Sequence, residues 1–294
     1  MSRFTIRDLA TLSGIREHTI RIWEQRYALL RPGRTGSNAR LYSIGDLELL
    51  LQVAALNRNG YRISQLAALS VPHRNAALAA LPYDEARQLA VLHNLLLYFY
   101  RFDTAAFEAE LCGALGRWPF EVLLPEVLLP FLLRTRLLFG AAPPAQGWAG
   151  VRLRQLLHWA IESLPPASAA HAPVLLFSGA DGCADHPLLY VQYHLKKAGC
   201  PVLPLGSLAG TAELEAVLSR KVPDFLLTVL PAKPVATLAR LSALLLRLAP
   251  RAELLVLTPE QHKVPLELPL RALSMEEALR TLLAAPAVAE GATR

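Results

Sequence analysis

Lysine is missing from the first two-thirds of this 294-residue chain; the first one is Lys196. Cysteine is scarce as well. Cys112, Cys183 and Cys200 are the three present, with no CxxC spacing and no even framework. That excludes a disulfide scaffold and a cysteine zinc site, and no metal is expected. No apolar run reaches bilayer-spanning length without a charge or a proline, so no membrane partner is expected. The N-terminus Met-Ser-Arg-Phe-Thr leads into a helical pattern with no signal-peptide core, which predicts a cytoplasmic location. A nucleophile elbow, a P-loop, a Rossmann glycine fingerprint and a zinc-protease signature are all wanting. Catalytic residues are therefore not assigned, and the chain is not expected to be an enzyme. Hydrophobic residues make up 53% of the chain, enough at this length for the cores of two or three modest domains.

What is present is charge in one place. The net charge is +6, and residues 1–70 hold ten arginines against five acids, Asp8, Glu17, Glu24, Asp46 and Glu48. The remainder is close to neutral. A basic head on a neutral body points to a polyanion partner for the head alone. A basic membrane-surface segment is the rival, but its long amphipathic basic helix is missing.

The head reads TIRDLATLSG-IREHTIRIWEQRYALLRPGRTGSNARLYS from Thr5. Thr5 can cap a first helix, and Asp8 adds favourable charge to its first turn. Gly14 allows a turn. Arg16 to Tyr27 forms a second helix, with Ile15, Ile20, Trp23 and Tyr27 directed inward. Arg16, His18, Thr19, Arg21, Gln25 and Arg26 are left for the outside. That pattern is a helix-turn-helix whose second helix is the major-groove candidate. A Gly/Pro/Asn-rich excursion follows, carrying Arg31, Arg34 and Arg40, where guanidinium forks suit phosphates better than lysines would. Ser43 and Asp46 open a buried helix ending at Asn59-Gly60, and a short helix from Ile63 reaches Val71-Pro72.

The segment HTIRIWEQRYALLRPGRT…ARLYSIGDLELL resembles the winged helix-turn-helix of MerR-type transcription regulators, most closely the subgroup with a cobalamin-binding effector domain. The resemblance implies a homodimer, or a higher homo-oligomer, on the palindromic operator of a double-stranded DNA, with the operator distorted. Arg16, His18, Thr19 and Arg21 are the base or near-base candidates. Arg34, Arg40 and Tyr42 are the phosphate candidates.

Residues 1–72 make the winged helix-turn-helix domain, and 73–83 read as a linker. Helices are expected over 84–101, 103–116, 119–138 and 148–164, a four-helix bundle domain spanning 84–165. After a Pro/Ala/Ser linker the period changes. Short apolar runs at Val174, Val202, Phe225 and Glu253 alternate with helices near 186–198, 211–219, 235–248 and 275–285. This predicts a doubly wound, flavodoxin-like parallel sheet over 173–286, with ligand loops at 178–186, 206–211, 230–235 and 258–265. The tail from Pro286 is expected to be disordered. The fold class is thus multidomain, α followed by α/β.

Bundle then sheet behind a MerR-type head resembles the cobalamin-sensing repressors over nearly the whole chain. The resemblance implies a Trp and a Glu-His pair on one corrin face and a loop histidine on cobalt from the other. Trp148 remains, but the Glu-His pair reads Leu157-His158. Matched through Tyr193 to Gly199, the cobalt histidine falls on Ala184, with His186 two residues later. After the fourth strand Thr258-Pro-Glu-Gln-His-Lys has no glycine pair. Trp148, His158 and His186 are therefore cofactor candidates that also read as a bundle-edge anchor, a hydrogen-bonded bundle histidine and a helix-start residue. No cofactor is expected; cobalamin is the alternative, in a light-sensing repressor. A further alternative is an adaptor that docks a partner regulator through the sheet.

Overall fold

The structure is a computed structural model that describes residues 4–34, 39–81, 84–137, 147–166, 173–179, 185–208, 211–229, 235–258 and 270–284, with the side chains of 85, 179 and 235–239 left out. The described chain falls into two compact units. One takes the residues up to Arg136 together with 147–149, the other Leu137 and everything from Gly150. No helix among the described residues is long and apolar enough to cross a membrane.

In the first unit, α1 (Ile6–Ser13) and α3 (Ile44–Arg58) open the same way. Thr5 accepts from the Asp8 backbone amide while Asp8 reaches back, and Ser43 and Asp46 repeat the arrangement. Each such capping box satisfies two amides that a helix start leaves without partners. Between them lie α2 (Glu17–Tyr27) and a two-stranded ribbon, β1 (Gly33–Arg34) with β2 (Arg40–Leu41). Then follow α4 (Ile63–Ala68) and α5 (Val71–Ala79). The stretch 73–83, read as a linker, is thus largely helix. Pro72 sits in the first turn, where it suits a helix, and the alanines after it are strong helix formers. Arg74 fixes α5 to the head by donating to Gln52 and to the Leu69 carbonyl.

The bundle helices α6 (Asp84–Arg101) and α7 (Thr104–Arg117) lie where the leucine pattern predicts. The expected helix 119–138 is broken into α8 (Phe120–Leu123), a π-helical turn at Leu124–Leu128 and α9 (Leu129–Arg134). Pro125 and Pro130 are the cause, since each lacks the amide a regular turn needs. A core of Phe99, Phe107, Phe131 and Leu95 is closed to solvent. Helix α6 packs on α3, so head and bundle share one wall.

Helix α10 (Gly147–Glu162) carries the chain across the boundary between the units. In the second unit five parallel strands stand in the order β4-β3-β5-β6-β7. They are β3 (Val174–Gly179), β4 (Val202–Leu208), β5 (Phe225–Val229), β6 (Glu253–Leu257) and β7 (Leu270–Leu273). This is the flavodoxin-like order. Strand alternation sends Val174 and Leu176 toward α11 (His186–Lys197) and α14 (Met275–Leu283). It sends Leu175 and Phe177 toward α12 (Thr211–Leu218) and α13 (Val235–Leu248). The four expected strands are there. Strand β7 is additional: four residues, Leu-Arg-Ala-Leu, are too short to show alternation, and Arg271 pairs with Glu253 on the neighbouring strand at 3.0 Å. Most of the expected ligand loops, Cys183 and the tail beyond residue 284 lie outside the described residues.

Candidate nucleic-acid interface

The turn between α1 and α2 is set by local chemistry. Gly14 takes φ +74°, a left-handed conformation that closes α1. The Ser13 hydroxyl donates to the Leu9 carbonyl at 2.7 Å and accepts from the Ile15 amide at 3.2 Å. Arg16, expected as the first helical residue, is the extended N-cap of α2 and makes no side-chain cap bond. Its side chain is exposed. Ile20 and Trp23 are buried as predicted, while Ile15 and Tyr27 are half-buried. His18, Arg21 and Gln25, spaced three and four apart, are exposed on one outward face. Thr19 is half-buried beside them.

The ribbon has the geometry of a wing. Its register places Arg34 directly opposite Arg40. Residues so paired project to the same side, and like charges there repel. A carboxylate offsets the repulsion at Arg40: Glu24 of α2 accepts from Arg40 Nε at 3.0 Å through one oxygen. Its other oxygen accepts from the Tyr42 hydroxyl at 2.9 Å. One side chain therefore ties the outer helix to the wing. Mutual amide-to-carbonyl bonds between Phe4 and Tyr42, both 2.9 Å, tie the wing's return to the N-terminus. Residues 35–38 at the tip lie outside the described residues.

This geometry corrects one expectation. Tyr42, expected on phosphates, is 1% exposed and its hydroxyl is committed to Glu24. Burial, then the bond to Glu24, pushes its phenol well above the usual tyrosine range. It is a brace for the wing. Arg40 shares that brace while its side chain stays 37% exposed; its bond to Glu24 holds its proton more firmly still. Arg21 pairs with Glu17 one turn back at 3.2 Å. An exposed pair of that kind is worth about 0–1 kcal/mol, so a phosphate or base edge competes for Arg21 at small cost. Arg34 is exposed on the wing. Glu24 itself was not a sequence candidate. The signal was a second acid on the helix, set between Arg21 and Arg26 and not needed at the helix start as Glu17 is.

The cofactor candidates fall differently. Trp148 packs edge-on against Phe107, with ring centroids 4.9 Å apart, and against Phe102 at 6.0 Å. It is an aromatic anchor of the bundle. His158 is exposed on α10 while Leu157 and Ile161 are buried. The expectation of a hydrogen-bonded bundle histidine fails because the helical period turns this position outward.

His186 is the first residue of α11 and only 3% exposed. Its Nε2 lies 2.9 Å from the Gly150 carbonyl oxygen, so Nε2 carries the proton and donates. A Cβ on Gly150 would stand 3.5 Å from the ring and 3.2 Å from Leu137, so the ring is seated on bare helix backbone. Burial lowers its pKa, keeping it neutral. Arg154 and Asp185 form an ion pair at 3.4 Å beside it. A ring held this way is a packing element, with Nε2 committed to Gly150 and Nδ1 buried without a hydrogen-bond partner among the described residues; the Ala184 side chain has no donor atom. Residues 180–184 lie outside the described residues.

Comparison with known proteins bears on both units. The model of the MerR HTH family regulatory protein matches residues 4–70. The HTH-type transcriptional repressor CarA of Myxococcus xanthus is 30% identical over 225 residues, covering 74% of this chain and 73% of that protein. CarH of the same organism, also an HTH-type transcriptional repressor, is 28% identical over 239 residues, 76% of this chain and 77% of its own length. The HTH-type transcriptional regulator MlrA of Salmonella typhimurium is 33% identical over 69 residues, 24% of this chain and 28% of that one.

Proposed function

This chain belongs to the MerR family of helix-turn-helix transcription regulators, and on that premise we propose that its head docks as one of a symmetric pair on a palindromic operator. Helix α2 enters the major groove with Arg16, His18, Thr19 and Arg21 at or near base edges. Arg34 and Arg40 of the wing face the flanking phosphates, and Tyr42 holds the wing in place. Two-fold pairing sets the half-sites about 34–36 Å apart. The task is binding, with no reaction catalysed.

The observation that carries this reading is the Glu24 clasp. By holding Arg40 and Tyr42 to α2, it presents helix and wing as one surface. The test uses an operator selected from a random duplex library and measures binding of the full chain by fluorescence anisotropy across a salt series. Arg34→Ala is expected to weaken all sequences alike and to reduce the log–log salt slope by about 0.9. Arg21→Ala is expected to relax preference at one position by about 1–3 kcal/mol. An unchanged slope in Arg34→Ala removes the wing from the interface.

For the sheet unit, cobalamin is the ligand class implied by resemblance. We infer that a cobalamin bound here would not take its lower ligand from His186, because Gly150 already holds Nε2 and the remaining Nδ1 is shut away from solvent. An absorbance titration with hydroxocobalamin, comparing wild type with His186→Ala, is expected to give identical spectra. A histidine-ligated spectrum lost in the variant would reverse this assignment.

A further inference from the structure

We propose that the pocket where α2, α3, α6 and α9 meet binds a small organic anion bearing carboxylate or phosphate oxygens. The cavity is about 520 Å³ and is wholly within the first unit. That volume suits a metabolite-sized ligand. Arg58 from α3, Arg134 from α9, Arg16 at the start of α2 and His93 from α6 line it together. Among the described residues lining it there is no carboxylate.

Two observations beyond the arginines point to a ligand. His93 is only 4% exposed, and its Nε2 meets no hydrogen-bond partner among the described residues. A buried polar atom left so is costly unless something supplies the bond. The cations also work against one another. Arg58 and Arg134 both press His93 toward neutrality, and burial together with Arg58 makes Arg134 easier to deprotonate than an ordinary arginine. Since the ring already donates to the Leu51 backbone, an anion beside it draws a second proton onto Nε2, which then donates to the anion, and the same negative charge offsets the repulsion among the cations. The depth of His93 favours a small molecule over a duplex phosphate, which reaches only the exposed rim.

The pocket also touches the part of the head that reads DNA. Arg134 Nη1 donates to the Leu12 carbonyl at 2.8 Å, and its Nη2 stands 3.7 Å from the place a Cβ would occupy on Gly14. A ligand that draws Arg134 inward pulls on the turn that aims α2. That coupling to operator binding rests on the function proposed above; the binding of the anion does not.

The test is isothermal titration of the full chain, without DNA, with citrate, glucose 6-phosphate and inorganic phosphate at matched ionic strength. Saturable binding of citrate or glucose 6-phosphate is expected, weakened at least tenfold in Arg58→Gln and in His93→Gln. Arg58 is exposed, so its variant keeps the fold and serves as the primary probe. Absence of saturable heat with all three anions overturns the proposal. So does an affinity unchanged in Arg58→Gln. If Arg58→Gln instead lowers the operator salt slope by about one while leaving anion affinity alone, the pocket is a seat for duplex phosphate and the proposal also fails.

Discussion

The two units of this protein differ in how their candidate ligand residues are held. In the head, the side chains that would meet a ligand are in place and braced: Arg21, Arg34 and Arg40 surround the Glu24 clasp, and the scaffold beneath is capped at Thr5 and Ser43. In the sheet unit the scaffold is equally complete, with five parallel strands in flavodoxin-like order and both faces covered. The positions that the resemblance assigns to a ligand read differently: Ala184 has no side-chain donor, His158 faces solvent and His186 is packed under α10. A fold and a site draw on different residues. Strand alternation and helix faces need only apolar side chains of about the right size, whereas a metal or corrin contact needs one donor at one place.

The largest test of the comparison removes scaffold from the head. Trp23→Ala should cost about 3–5 kcal/mol, as deletion of a buried aromatic does, and operator binding should vanish with the fold. Denaturation followed by circular dichroism, with α2 probed by anisotropy, checks it; retained binding in the variant would mean the head's surface survives without its core. A smaller effect comes from His93. Its pKa lies near 3 in the folded state, driven down by burial, then by Arg134 of α9 and Arg58 of α3, against the backbone bond to Leu51. The unfolded chain takes up that proton near pH 6.5 and the native one does not. His93 therefore leaves stability untouched above pH 6.5 and erodes it as pH falls toward 3, by up to about 1.4 kcal/mol per pH unit. Urea midpoints at pH 7, 6 and 5 should drop less steeply in His93→Gln than in wild type. Smallest of all is Glu17→Gln, which frees Arg21 from an exposed pair and should shift stability by less than about 0.5 kcal/mol. Any larger change would mark that pair as structural.

Much of this was legible in the residues. The helix-turn-helix, the helix starts at Thr5 and Ser43 and the alternation of strand and helix after Val174 follow from periodicity and end signals. Three features escaped, two of them because they depend on what lies far away in the chain. Glu24 gains its role only when the ribbon brings Arg40 and Tyr42 back, 16 and 18 residues later. The π-helical turn needs both Pro125 and Pro130 weighed against a strong leucine pattern. The cationic pocket is assembled from four helices, and no spacing in the sequence announces it.

The shared wall of α3 and α6 limits how the head can be treated as a movable part. The family match stops at residue 70, but the unit that folds around the head runs on to Arg136. A fragment cut at residue 70 would leave the α6-facing side of α3 bare to water and should self-associate. Grafting this reader onto a foreign sensor calls for carrying α6 along, so the natural seam for recombination lies some sixty residues beyond the one that homology suggests.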